Sequence, residues 1–170
     1  MNNFDYVAFV DIDGVLNHSK IHCEFDFLQE SIDVLNILYD KYNLNLVLSS
    51  SWRHAFTFFD MQELFKKKGI NAPLIDRTYI VLTKDPVLVD INLDDIYDIN
   101  PKENIYSRES EILEWLKMFK PKHFVVLDDY LMNNDFLAKH QLKTDYWGND
   151  ESKLGLRKIH LDEIYRILEL

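Results

Sequence analysis

Three short apolar runs constrain this chain more than any other feature. They are residues 6–10 (YVAFV), 44–48 (LNLVL) and 123–127 (HFVVL), and each ends at a polar residue. A strand covered on both faces reads as a continuous apolar run, whereas a half-exposed strand alternates. Between the runs the apolar residues recur at helical spacing. Leu28, Ile32, Leu35, Tyr39 and Tyr42 mark one helix, with Asp26 as its expected N-cap. Residues 53–68 read as a second, closed by Gly69. Ile112, Trp115, Leu116 and Phe119 mark a third, capped by Ser107 and stopped before Pro121. Residues 141–144 read as a short further strand, and Leu161, Ile164, Tyr165 and Leu168 give a closing helix. Strands alternating with helices imply an α/β fold with a parallel sheet covered on both faces.

In such sheets ligands bind beyond the carboxyl ends of the strands. The polar residues in those places are Asp11 and Asp13, then Ser49, Ser50 and Ser51, then Asp128 and Asp129. Aspartates brought together at one sheet edge repel, so they either protonate or share a cation. A hard divalent ion such as Mg²⁺ suits a few carboxylates plus water, and it commonly holds a phosphate. Asp11 follows its strand directly and is a candidate nucleophile. Asp13, two residues on, is a candidate general acid and base. Gly14 permits the sharp turn that follows. Ser49 and Ser50 open a helix, whose N-terminus favours phosphate. No Gly-x-Ser-x-Gly elbow surrounds them, so a serine hydrolase is not indicated.

The chain has 170 residues, and its 19 Lys+Arg against 29 Asp+Glu give a net charge of -10. That balance argues against a general nucleic-acid coat protein. It fits one domain over residues 1–170, with a flap at 17–27 and an acidic excursion at 72–104 that includes a possible strand at 79–83. The single cysteine, Cys23, forms no internal disulfide, and a Cys-only zinc site is excluded. No apolar run approaches the roughly 18 residues of a membrane span. The opening residues lack a signal-peptide pattern. A cytoplasmic protein without membrane contact is expected, as a monomer, with a dimer left open.

The string Asp11-Ile12-Asp13-Gly14-Val15-Leu16-Asn17 resembles the first motif of the haloacid dehalogenase (HAD) superfamily. Leu46-Val47-Leu48-Ser49 resembles the second, and Val125-Val126-Leu127-Asp128-Asp129 the fourth. The longer strings LSSSWR (48–53), RESEILEWL (108–116) and VVLDD are similar to the HAD domains of RNA-repair ("Swiss Army Knife") proteins. The resemblance implies a Rossmann-like three-layer sandwich with little or no cap, and Mg²⁺-dependent phosphoryl transfer. By motif position it makes Asp11 the nucleophile and metal ligand. Asp13 becomes the general acid/base, with its backbone carbonyl on the metal. Ser49 becomes the phosphate-binding hydroxyl, with Ser50 beside it. Asp129 becomes the metal-binding acid, with Asp128 as its neighbour. The third motif usually supplies Lys, and the matching place holds Arg108; Lys84 and Lys102 are alternatives. An Asp two residues after the nucleophile favours phosphatases within the superfamily.

A small or absent cap suits a phosphate on a large substrate, such as a nucleic-acid end or a nucleotide. Asn17, Trp52 and Arg53 are candidate substrate contacts, Trp52 as a stacking ring or a packing residue. Lys66, Lys67 and Lys68 read more simply as a solvated helix end. Two other classes stay open: a HAD-like binding or regulatory module with weak or no turnover, and a small-molecule nucleotidase or phosphotransferase.

Overall fold

The computed structural model describes residues 4–21, 25–79 and 108–169. Strand β1 (Tyr6–Val10) leads through α1 (Gln29–Tyr42) to β2 (Asn45–Leu48), and α2 (Phe58–Lys67) leads to β3 (Leu74–Arg77). Helix α3 (Arg108–Phe119) precedes β4 (His123–Asp128), followed by α4 (Asp135–Lys139), β5 (Gln141–Lys143) and α5 (Leu161–Leu168). The strands form one sheet in the order β3-β2-β1-β4-β5, with every neighbouring pair parallel. This is the α/β architecture with a covered parallel sheet that the apolar runs predict, in the Rossmann-like form that the family resemblance implies.

Side chains alternate across a strand, so each sheet residue belongs to one helical layer. Ala8, Val10, Leu46, Leu48, Val125 and Leu127 pack with Leu35 of α1, Phe65 of α2 and Ile164 of α5. Val7, Phe9, Val47, Phe124 and Val126 pack with Ile112 and Trp115 of α3 and Leu137 of α4. Both faces are buried, which is why the runs lack alternation. The chain moves outward from β1 to β2 to β3, then crosses to β4 on the other side of β1. That reversal places a crevice at the carboxyl ends of β1 and β4.

Three local features differ from the sequence reading. Helix α1 starts at Gln29 with Leu28 in the N-cap position and no side-chain cap. The Leu28 N–H donates to the Leu16 carbonyl (2.7 Å), so a tertiary contact sets the helix entry, and Asp26 pairs with Lys68 (3.3 Å). The helix expected over 53–68 is two pieces: a 3₁₀ turn at Ser51–His54, then α2. Thr57 and Asp60 exchange backbone hydrogen bonds in a capping box, which starts a new helix inside a continuous apolar pattern. The strand beside β2 is Leu74–Arg77, upstream of the possible strand at 79–83. Residues 80–83, Lys84, Lys102, Ser107, Cys23 and most of the 72–104 excursion lie outside the described residues.

Candidate active site

Val10 lies opposite Leu48 on one side and Leu127 on the other. Asp11, Ser49 and Asp128 therefore stand at the same level on three adjacent strands. The Asp11 N–H donates to the Leu127 carbonyl (3.0 Å) and the Ser49 N–H to the Val10 carbonyl (3.1 Å), extending both ladders to the site. Carboxylate oxygens of Asp11, Asp128 and Asp129 lie within 4.8 Å of one another. Asp11 and Asp128 are buried and Asp129 is partly exposed. Hard oxygen donors at this spacing can hold a divalent cation.

Arg108 opens α3 and reaches into this cluster. Its Nη1 donates to Asp11 Oδ2 (2.5 Å) and to Asp128 Oδ2 (2.6 Å). The remaining oxygens are also held: Asp11 Oδ1 accepts from the Ile12 N–H (2.8 Å) and Asp128 Oδ1 from the Tyr130 N–H (2.8 Å). Burial pushes the Asp128 carboxyl up to about 6; Arg108 opposes the shift and Asp11 adds to it. Burial, then the nearby Asp11 charge, also raises Asp129. The Arg108 guanidinium is partly buried, which opposes its charge, but Asp11 and Asp128 outweigh that effect and hold its proton more firmly than usual. One cation serves two carboxylates.

Asp13 is fixed separately. Its Oδ1 accepts from Asn17 Nδ2 (2.9 Å) and its Oδ2 from Trp52 Nε1 (2.9 Å). Gly14 turns the chain here with φ +82°, and a Cβ at Gly14 would fall 2.5 Å from Asp129 Cβ and Cγ. Only glycine satisfies both the turn and the approach of Asp129. The Thr144 hydroxyl, following β5, donates to the Gly14 carbonyl (2.6 Å) and ties the turn to the sheet.

The Ser49 hydroxyl is buried and has no hydrogen-bond partner among the described residues. A buried polar atom is ordinarily paired, so this hydroxyl at a strand end is free to donate. Ser50 Oγ caps the following turn, accepting from the Trp52 N–H (3.4 Å). Arg53 points away from solvent. Its guanidinium donates to the carbonyls of Ser49 (2.8 Å) and Ser50 (2.6 Å) and pairs with the buried Glu111. Trp52 is also buried, packed against Phe25 and Phe56. The structure thus groups Asp11, Asp128, Asp129 and Arg108, and joins Asp13 to Asn17 and Trp52. Arg53 sits beneath the serine loop as its support.

Two contributors were not singled out from the sequence. Glu111, which also accepts from the Thr78 hydroxyl (3.0 Å), lies one residue before Ile112 and one helical turn before Trp115, so an acid on the apolar face of α3 was the available signal. Tyr146 has its hydroxyl pKa raised by burial and then by the charges of Asp13 and Asp129. No pattern within 144–147 announces that.

A family model described as the HAD domain in Swiss Army Knife RNA repair proteins matches residues 7–153. No curated protein and no solved structure matches the chain. The match spans every strand and the whole carboxylate cluster, and the chain belongs to this HAD domain family.

Proposed function

We propose that the chain is a Mg²⁺-dependent phosphatase that hydrolyses phosphate monoesters through an aspartyl-phosphate on Asp11. The observation that carries this reading is the convergence of Asp11, Asp128 and Asp129 next to the unpartnered Ser49 hydroxyl. The carboxylates of Asp11, Asp128 and Asp129 and the carbonyl of Asp13 would hold Mg²⁺, which when bound offsets negative charge on phosphoryl oxygens. One Asp11 oxygen attacks phosphorus as the ester oxygen leaves with its bonding pair. Asp13 gives that oxygen a proton, then takes one from the water that cleaves the Asp11–phosphorus bond. The Ser49 hydroxyl donates to a phosphoryl oxygen, and Arg108 supplies a fixed positive charge beside Asp11.

The substrate proposed is an exposed phosphate on a nucleic-acid end, a nucleotide or another large molecule. RNA repair in the family description supports a nucleic-acid phosphate. Trp147, 75% exposed and edge-on to Tyr146, offers an exposed ring on which a base can stack. A second reading, a weakly active binding module, draws on Arg108 bridging two carboxylates that a metal would otherwise share.

The test is phosphate release from 3′- and 5′-phosphorylated oligonucleotides, nucleotides, phosphopeptides and sugar phosphates, with Mg²⁺ and with chelator. Turnover that requires Mg²⁺ and disappears in Asp11→Asn supports the phosphatase. Turnover that persists in Asp11→Asn removes the nucleophile assignment. Tight binding of a phosphorylated ligand without turnover favours the module.

A further inference from the structure

We infer that Trp52 and Asn17 are positioning residues that aim the proton of Asp13 at the leaving group. The inference rests on Asp13 being the acid of the phosphatase reaction proposed above. It starts from donor chemistry. An indole N–H can only donate. The Asn17 amide is oriented by the Gly14 N–H, which donates to its Oδ1 (3.3 Å), so its NH₂ group faces Asp13. Each Asp13 oxygen therefore has one lone pair occupied by a group that cannot accept a proton. When Asp13 carries its proton, that proton lies on a lone pair facing neither Trp52 nor Asn17. Two fixed donors thus narrow the directions in which the acid proton can point.

Both donors are rigid. Trp52 is 8% exposed and Asn17 is 3% exposed. Phe25 and Phe56 pack against the Trp52 ring at 5.4 Å and 5.5 Å. The Trp52 N–H is held by Ser50 Oγ, and its carbonyl accepts from the Ala55 N–H (3.0 Å). Asp13 and Asn17 also form a β-bridge, closing the turn around Gly14. The serine loop after β2 is therefore tied to the acid after β1. This explains why a tryptophan directly after the serines is buried and spends its indole N–H on a carboxylate.

In the first step, phosphoryl transfer to Asp11, a misaimed acid slows only those esters whose leaving oxygen needs a proton. Hydrolysis of the aspartyl-phosphate is common to all esters, so the first step is read by single-turnover release of the leaving group. The experiment compares an alkyl phosphate, such as a nucleoside 3′-phosphate, with p-nitrophenyl phosphate, whose leaving group departs as a stable anion. In Trp52→Phe, the single-turnover rate of leaving-group release falls about tenfold or more for the alkyl ester while the half-saturating substrate concentration stays within about twofold. The p-nitrophenyl ester loses less than about threefold. Asn17→Ala shows the same asymmetry with a smaller change to the packed aromatic cluster. A folding defect lowers both substrates equally, so an equal loss, or no loss, in both variants overturns the inference while the phosphatase reading stands. Wild-type protein that releases phosphate from neither ester overturns both.

Discussion

Arg108 Nη1 sits 2.5 Å from Asp11 Oδ2 and spans to Asp128 at 2.6 Å, so one guanidinium nitrogen neutralises two buried carboxylates. Replacing it leaves those charges facing each other. Arg108→Ala is expected to cost about 3 kcal/mol of stability, the usual scale for removing one partner of a buried pair. It also lowers kcat/KM about 100-fold by removing charge beside the nucleophile. Arg108→Lys retains a charge but reaches the two oxygens less well and falls in between. Thermal unfolding and phosphate release measured on both variants check this. Full activity in Arg108→Ala would remove it from the site.

Ser49→Ala separates function from stability. The hydroxyl is buried and unpaired, so deleting it relieves a desolvation cost of about 1 kcal/mol, and Tm holds or rises. The same change removes a donor to phosphate. KM, or the inhibition constant for inorganic phosphate, is expected to rise about tenfold, equivalent to the loss of one hydrogen bond to a charged group. A fall in Tm with unchanged phosphate affinity would make Ser49 a structural residue.

Glu111 tests the support beneath that serine. It lies 4% exposed and accepts from both Arg53 and Thr78, while Arg53 holds the Ser49 and Ser50 carbonyls. Glu111→Ala strands a buried guanidinium and is expected to destabilise by about 3–5 kcal/mol. The double variant Arg53→Met with Glu111→Leu removes both charges and should be milder than Glu111→Ala alone. Chemical denaturation of the two proteins decides it. A double variant less stable than the single one would show that the carbonyl contacts of Arg53 outweigh the charge pairing.

The sheet and its acidic edge were legible because both follow from short-range pattern. A strand buried on both faces needs a continuous apolar run, and the residue after such a run must stand at the sheet edge, which located Asp11, Ser49, Asp128 and Asp129. The β2–α2 connection was misread as one helix because Trp52, Phe56 and Phe65 keep an apolar pattern across the Thr57 cap. The roles of Trp52 and Arg53 were not legible. Each depends on a partner far along the chain, Asp13 for one and Glu111 for the other, and a side chain's direction is settled by packing rather than by its neighbours in sequence. Asp26 failed as a cap for the same reason, since Leu16 and Lys68 decide where α1 begins and where that carboxylate goes.

The buried His18 gives the fold a pH dependence whose sign is fixed. Its Nδ1 accepts from the Lys20 N–H (3.2 Å), and its buried Nε2 lies 3.8 Å from Glu151 Oε1 with no hydrogen bond. Burial lowers its pKa below the ordinary 6.5; Glu151 opposes this, and Arg157 and Lys20 reinforce it. His54 and His160 are lowered by burial as well. Above pH 6.5 these groups are neutral in both folded and unfolded chains, and their contribution to stability is complete. As pH falls below that value the unfolded chain takes up protons that the folded chain resists, so stability drops. From neutral pH toward about pH 5 these histidines therefore lower Tm, while the raised carboxyls of Asp128 and Asp129 act in the opposite direction over the same range. The histidine part is read as a difference: His18→Gln should lose less Tm than the wild type across that range. Differential scanning calorimetry across this range measures both slopes. An unchanged slope in His18→Gln would mean that His18 takes up its proton as readily in the fold as in the open chain.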